Sequence, residues 1–212
     1  MTDAIADVAG LRARYRDPSA LVLSKVQTAV SPVAAEFIAR SPLFVLATSS
    51  PAGADASPRG GPPGFVAVLD EHRLAWGDLA GNNLLDSFSN IVEQPHVGLL
   101  FLVPGSDGTV RVNGRASITS DAEVLDATGI DGRRPKVAVV VDVDQCYVHC
   151  AKAFRRSALW DTASWPAPEQ FPTTGQIITD QQSLDAALAP VIDQELESNY
   201  VATMWDGGGD AS

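Results

Sequence analysis

The stretch from Thr109 to Thr119 restricts the fold more than any other. Val110, Val112, Ala116 and Ile118 alternate with Arg111, Asn113, Arg115 and Ser117. A period of two suits an antiparallel strand with one face buried and the other wet. Directly before it runs the apolar segment Val97 to Val103, and Pro104-Gly105-Ser106-Asp107-Gly108 between the two reads as a hairpin turn.

Other short extended pieces accompany this hairpin. Phe44-Val45-Leu46-Ala47-Thr48 reads as a buried strand and Pro51-Ala52-Gly53 as a turn. A second piece covers Ala54 to Arg59, and Gly60-Gly61-Pro62-Pro63-Gly64 interrupts it. Phe65 to Leu69 and Leu74 to Trp76 form two more strands around Asp70-Glu71-His72, and Val137 to Tyr147 is the longest strand candidate.

Helical signals are fewer. The first forty residues read as helical, with Ser31 as N-cap, Pro32 in the first turn, and Val33, Phe37 and Ile38 on an apolar side that Pro42 ends. Leu84, Leu85, Phe88, Ile91 and Val92 predict a helix over Gly81 to Val92, stopped by Pro95. Asp121 to Asp126 suggests a short helix. Beyond the prolines at 166, 168 and 172, Leu184, Leu188, Val191, Ile192 and Leu196 predict another, before a disordered tail starting at Gly207-Gly208-Gly209. Six or so short strands with few interleaved helices predict a mainly β (α+β) fold: an antiparallel barrel with helices outside, not a doubly wound sheet. The expected organisation is an N-terminal helical segment over 1–40, the barrel over 41–160, and an acidic C-terminal loop, helix and tail over 161–212.

Charge narrows the partners. The formal net charge is −11, from 15 Lys and Arg against 26 Asp and Glu. Nine of the acids and none of the bases fall between Ser157 and Ser212, so the acidity is concentrated at the C-terminal end. A nucleic-acid face is disfavoured, because backbone affinity comes from many basic contacts. A small anionic ligand is compatible, since eight bases lie between positions 111 and 156. No apolar run approaches the ~18 residues of a membrane helix. No basic n-region precedes an apolar stretch at the N-terminus, so a cytoplasmic protein is expected.

Several catalytic signatures are absent. There is no G-x-x-x-x-G-K-[ST], no G-x-G-x-x-G after a strand and no G-x-S-x-G. Cys146 and Cys150 on one strand lie ~13 Å apart, which suits neither a disulfide nor one tetrahedral metal with His149. Three clusters remain. Ser57-Pro58-Arg59-Gly60-Gly61 puts a glycine-rich break beside an arginine, which suits an oxyanion or a barrel corner. Trp76-Gly77-Asp78 and Gly81-Asn82-Asn83 open the helix carrying Ser87 and Asn90, whose N-terminus suits a phosphate or simple capping by an asparagine. Arg111 to Arg115, with Lys152, Arg155 and Arg156, supplies positive charge.

In this order, Ser57-Pro58-Arg59-Gly60, Pro63-Gly64-Phe65-Val66, Gly81-Asn82-Asn83, Asn90-Ile91, Val97-Gly98-Leu99-Leu100-Phe101, Arg111-Val112-Asn113-Gly114-Arg115-Ala116 and His149-Cys150-Ala151-Lys152-Ala153 resemble the pyridoxamine 5'-phosphate oxidase-like split-barrel proteins that bind flavin mononucleotide (FMN). The resemblance spans about residues 11 to 165. It implies a homodimer of six-stranded antiparallel split barrels with flanking helices and FMN in the dimer cleft. On that pattern Arg59 and Gly60 line the flavin or its phosphate, Trp76 and Gly77 sit near the ring or ribityl chain, and Asn82, Asn83 and Ser87 lie near the phosphate. Thr109 and Arg111 approach from the partner subunit, and Lys152 and Arg156 are candidates for the cleft wall. The chain departs from the pattern at three places: Gly61 stands where relatives commonly carry an acid, no proline accompanies Gly77, and Leu84 stands where a base is common.

The function this implies is an FMN-dependent oxidoreductase exchanging a hydride between flavin and a small molecule, with a reduced nicotinamide as a possible donor. The alternative is a split barrel that has lost flavin and serves as a cofactor-independent enzyme or a small-molecule binding module. A haem-binding barrel would need His72, His96 or His149 as axial ligand. No catalytic acid or base is identified.

Overall fold

A computed structural model describes residues 4–205; the predicted glycine tail lies outside them. Three helices come first, α1 (Val8–Arg12), α2 (Ala20–Ser24) and α3 (Pro32–Arg40). Ser31 caps α3 by accepting from the Ala34 N–H, with Pro32 in the first turn. Ile38 is fully buried, whereas Val33 faces solvent and is not part of the apolar side assigned to it.

The strands are β1 (Leu43–Ser50), β2 (Gly53–Gly60), β3 (Val66–Asp70), β4 (Arg73–Gly77), β5 (His96–Leu102), β6 (Thr109–Thr119) and β7 (Ala138–His149). They form one antiparallel sheet in the order β2-β1-β5-β6-β7-β4-β3. The count is seven, where about six were expected, and each of the extended segments named from the sequence forms a strand. The sheet does not close, since β2 and β3 remain edges. Pro58 is tolerated in β2 because an edge strand can leave one side unpaired.

The sheet curls strongly. β1 and β4 lie four strand steps apart, which would separate them by ~19 Å in a flat sheet. Yet the rings of Phe44 in β1 and Trp76 in β4 meet edge-on at 5.0 Å, and Phe65 stacks on Phe44 at 5.8 Å. The curled concave face encloses the core, which includes Phe44, Leu46, Leu74, Leu99, Phe101, Val112, Val139 and Val141, all fully buried. The alternation along β6 holds: Val110, Val112 and Ala116 are buried, while Arg115 and Ser117 are exposed.

The other helices are α4 (Asp86–Glu93), α5 (Ala122–Ala127), α6 (Lys152–Ser157), α7 (Thr174–Gln181) and α8 (Ala189–Thr203). The helix expected from Gly81 starts five residues later. Asn82 Oδ1 accepts the Leu84 N–H at 3.0 Å, and Asn83 and Leu85 adopt left-handed backbone, so a local turn competes with helix here. Leu84, Leu85 and Val92 are exposed, while Ser87, Phe88, Asn90 and Ile91 face inward. Leu184 and Leu188 precede α8 rather than forming it. α7 carries the signal T-x-x-Q: Thr173 and Gln176 cap each other reciprocally. Among the described residues no helix is long and apolar enough to cross a membrane.

Candidate functional site

Where the curled sheet fails to close, a cavity of about 280 Å³ opens between β2 and the β4–α4 connection. Its walls are Asp55 and Ser57 to Gly60 from β2, Phe65, Trp76 and Gly77 at the end of β4, the loop Asp78 to Leu85, and Asp86, Ser87 and Phe88 of α4. The period of two along β2 turns Asp55, Ser57 and Arg59 to one side. Arg59, Gly60, Trp76, Gly77, Asn82, Asn83 and Ser87 therefore share one cavity.

Thr109, Arg111, Lys152 and Arg156 do not line it. Thr109 starts β6 opposite His149, and Arg111 lies opposite Tyr147. Lys152 and Arg156 belong to α6, where the Arg156 side chain donates to the Lys152 carbonyl at 3.1 Å.

Two lining residues, Trp76 and Gly77, and the neighbouring Gly61 behave differently from what their sequence context suggests. Trp76 is 2% exposed, and its ring belongs to the core beside Phe44. Its indole N–H has no acceptor among the described residues, unlike those of Trp160 and Trp165. No buried side-chain nitrogen or oxygen lacks a partner among the described residues, so this N–H keeps some exposure, on a residue that lines the cavity. Gly77 is bare on the side away from the cavity: a Cβ would stand 2.7 Å from Pro135 Cγ and 2.9 Å from the Thr128 carbonyl. Gly61 is required by Phe65, whose ring would lie 2.6 Å from an added Cβ. An acid at position 61 is thus incompatible with Phe65 in the core.

A chain of hydrogen bonds fixes the β2 wall. Asn90 donates to Thr48 Oγ1 at 3.0 Å, and Thr48 donates to Asp55 Oδ2 at 3.4 Å. Ser87 Oγ donates to the same oxygen at 3.0 Å. That uses the single Ser87 proton, so Ser57 is the donor in the 2.9 Å contact between the two hydroxyls.

The electrostatics of the cavity are set by one cation and three carboxylates: Arg59 against Asp55, Asp78 and Asp86. Burial lowers the Arg59 guanidinium from its ordinary value, with Asp78 and Asp55 pulling it back. Burial raises the Asp78 carboxyl, and Arg59 partly offsets this. Arg59 donates to the Pro58 carbonyl at 3.1 Å. The rim is apolar and exposed at Leu84 and Leu85.

Sequence reasoning missed Asp55 as a wall residue, and it named Asp78 in the cluster that opens α4 without giving it a role. The alternation of Asp55 with Ser57 and Arg59 carried the signal for the first. Cys146 is buried and Cys150 exposed, and among the described residues no group of three His, Cys, Asp or Glu side chains gathers at a metal-holding distance.

The family described as pyridoxamine 5'-phosphate oxidase matches residues 30–150. Solved structures similar to the chain include a HupZ variant from Group A Streptococcus, 16% identical, covering 57% of this chain and 99% of its own, with a TM-score of 0.47. General Stress Protein 26 from Bacillus anthracis is 17% identical, covering 53% of this chain and 88% of its own, with a TM-score of 0.42. An FMN-binding protein from Syntrophomonas wolfei is 11% identical, covering 54% and 81%, with a TM-score of 0.42. No curated protein matches the chain.

For FMN, which the family implies, the cavity of one chain fits in part. Its open edge, the Trp76 N–H donor and the Arg59 fork suit an uncharged ring system with carbonyl acceptors. The phosphate does not fit: it carries close to two negative charges, and the wall offers one cation against three carboxylates.

Proposed function

The chain belongs to the pyridoxamine 5'-phosphate oxidase family, and from that premise we propose that it is an FMN-dependent oxidoreductase acting on a small molecule. The gathering of seven sequence-assigned residues into the cavity at the open edge of the sheet supports this reading. Flavin would supply hydride exchange. The chain's own part is to bind and orient: the β2 wall is held by the Asp55 hydrogen bonds, and Trp76 and Arg59 offer donors. Because the cavity of one chain sets a single cation against three carboxylates, the reading puts the phosphate against a second copy, in a split-barrel homodimer whose Thr109 and Arg111 side completes the site.

The test is the purified full chain. The reading expects yellow absorbance, or binding of added FMN at micromolar concentration, together with twice the monomer mass by light scattering. A colourless protein that ignores added FMN overturns it.

The acidic wall and the apolar Leu84–Leu85 rim favour a second reading, a barrel that binds an uncharged or cationic small molecule without flavin chemistry. Preference for riboflavin over FMN, with no oxidoreductase turnover, would be its signature.

A further inference from the structure

The N-terminal segment does something its own sequence does not announce. β4 flanks β7 only over residues 138–142. Beyond that, Gln27 takes its place: Gln27 and Cys146 exchange two backbone hydrogen bonds, at 3.1 and 2.8 Å. This pairing carries Lys25 to the far end of β7, where Nζ donates to the Val148 carbonyl at 2.7 Å.

There Lys25 meets Arg111, which β6 brings to the same place. Lys25 Nζ lies 5.6 Å and the Arg111 guanidinium 6.0 Å from the centre of the Tyr147 ring. The His149 ring lies 5.1 Å from that of Tyr147. Arg111 uses Nε on Asn113 at 2.8 Å, and its terminal nitrogens have no partner among the described residues. All four side chains are half-buried, yet neither Lys25 nor Arg111 has a carboxylate within ion-pair distance there. Half-buried cations without a counter-charge are unusual, and more so in a chain of net charge −11. The field is felt locally: besides burial, the charges of Arg111 and Lys25 hold His149 below its ordinary value, and no carboxylate opposes them. Cys150 and Lys152 border the cluster, the thiol being lowered first by a backbone hydrogen bond at Lys152, then by the charges of Lys152 and Lys25.

We propose that Lys25 and Arg111, beside Tyr147 and His149, form an oxyanion site that takes a phosphate group. A guanidinium fork with free terminal nitrogens next to an ammonium matches the geometry and charge of a phosphate dianion. Lys25 is the residue that family pattern alone does not assign to this role. The phosphate comes either from solution or from the tail of FMN; the second source rests on the flavin reading, while the site itself does not.

The experiment follows the His149 imidazole by NMR in the full chain, in chloride buffer, as inorganic phosphate, FMN or riboflavin is added. Inorganic phosphate should shift His149 saturably at millimolar concentration and raise its pKa. Lys25→Met and Arg111→Gln should each weaken this by roughly tenfold, and Lys25→Arg should retain it. Riboflavin, lacking phosphate, should leave His149 in place. A phosphate response that Lys25→Met leaves intact overturns the proposal, and so does the absence of any response. If FMN moves His149 more strongly than phosphate does, the flavin tail is the physiological source. If inorganic phosphate moves His149 while FMN fails to bind, the oxyanion site stands and the flavin reading falls.

Discussion

Ser87 at the start of α4 donates to Asp55 in β2, Oγ to Oδ2 at 3.0 Å, across 32 residues of chain. This bond ties the helix to an edge strand that has little apolar surface of its own. Ser87 is 3% exposed, and its proton is committed. Through this bond Ser87 holds the cavity wall in place.

Ser87→Ala should therefore lower stability by about 1–2 kcal/mol, since it removes one donor from Asp55 and leaves Ser57 without its acceptor. FMN affinity should change less than about threefold. Urea melts and a flavin titration check this together. A large loss of affinity at unchanged stability would instead make Ser87 a direct ligand contact.

Trp76 separates packing from binding in the same way. Trp76→Phe keeps an aromatic ring against Phe44 but removes the indole N–H. A neutral hydrogen bond contributes about 0.5–1.5 kcal/mol, so flavin binding should weaken about two- to tenfold. The smaller ring should cost about 1–2 kcal/mol of stability through the space it leaves. Tryptophan fluorescence quenching by FMN should also diminish. Unchanged affinity would show that the N–H meets only water.

Much of this architecture was legible from sequence because the strands obey a period of two. The β5–β6 hairpin, Ser31 as a cap and the β3–β4 pair all follow from local signals. The α4 boundary was not legible, because the Asn82 side chain bonds the Leu84 backbone and a turn wins over a helical apolar pattern. Gly77 and Gly61 read as openings for a ligand, yet the space they spare is taken by Pro135 and Phe65. The first depends on a contact far apart in the chain, the second on where the core places the Phe65 ring four residues on. Lys25 had no local signal at all, since its position follows from Gln27 pairing with Cys146.

Asp78 gives the cavity a pH dependence. Burial raises its carboxyl above the ordinary value in the folded chain. The folded state then binds the proton more tightly than the unfolded chain does. The stability this contributes is present at pH below the unfolded value and is lost as pH rises through the folded value. Asp78→Asn lacks that loss. Relative to the unmodified chain, the variant should gain stability on going from acid to neutral pH. It should also bind FMN about three- to tenfold tighter at neutral pH, because one wall carboxylate is gone. Urea melts at acid and at neutral pH test the first point. A stability difference that stays constant, or shrinks, between the two would show that burial is not what dominates at Asp78.

Leu84 offers the sharpest separation of flavin ring from flavin tail. It is 65% exposed on the rim, outside the left-handed positions Asn83 and Leu85 that flank it, so a longer side chain there meets no packing penalty. Leu84→Arg places a guanidinium beside a wall whose present balance is one cation to three carboxylates. A charge-assisted hydrogen bond to phosphate should tighten FMN by about tenfold, with the gain shrinking as salt is raised. Riboflavin should not respond, because the change acts only on the charged tail. Paired titrations of FMN and riboflavin against the variant and the unmodified chain measure both. Equal tightening of the two flavins would mean that the introduced guanidinium stacks on the ring, and no tightening of either would place the phosphate away from this rim.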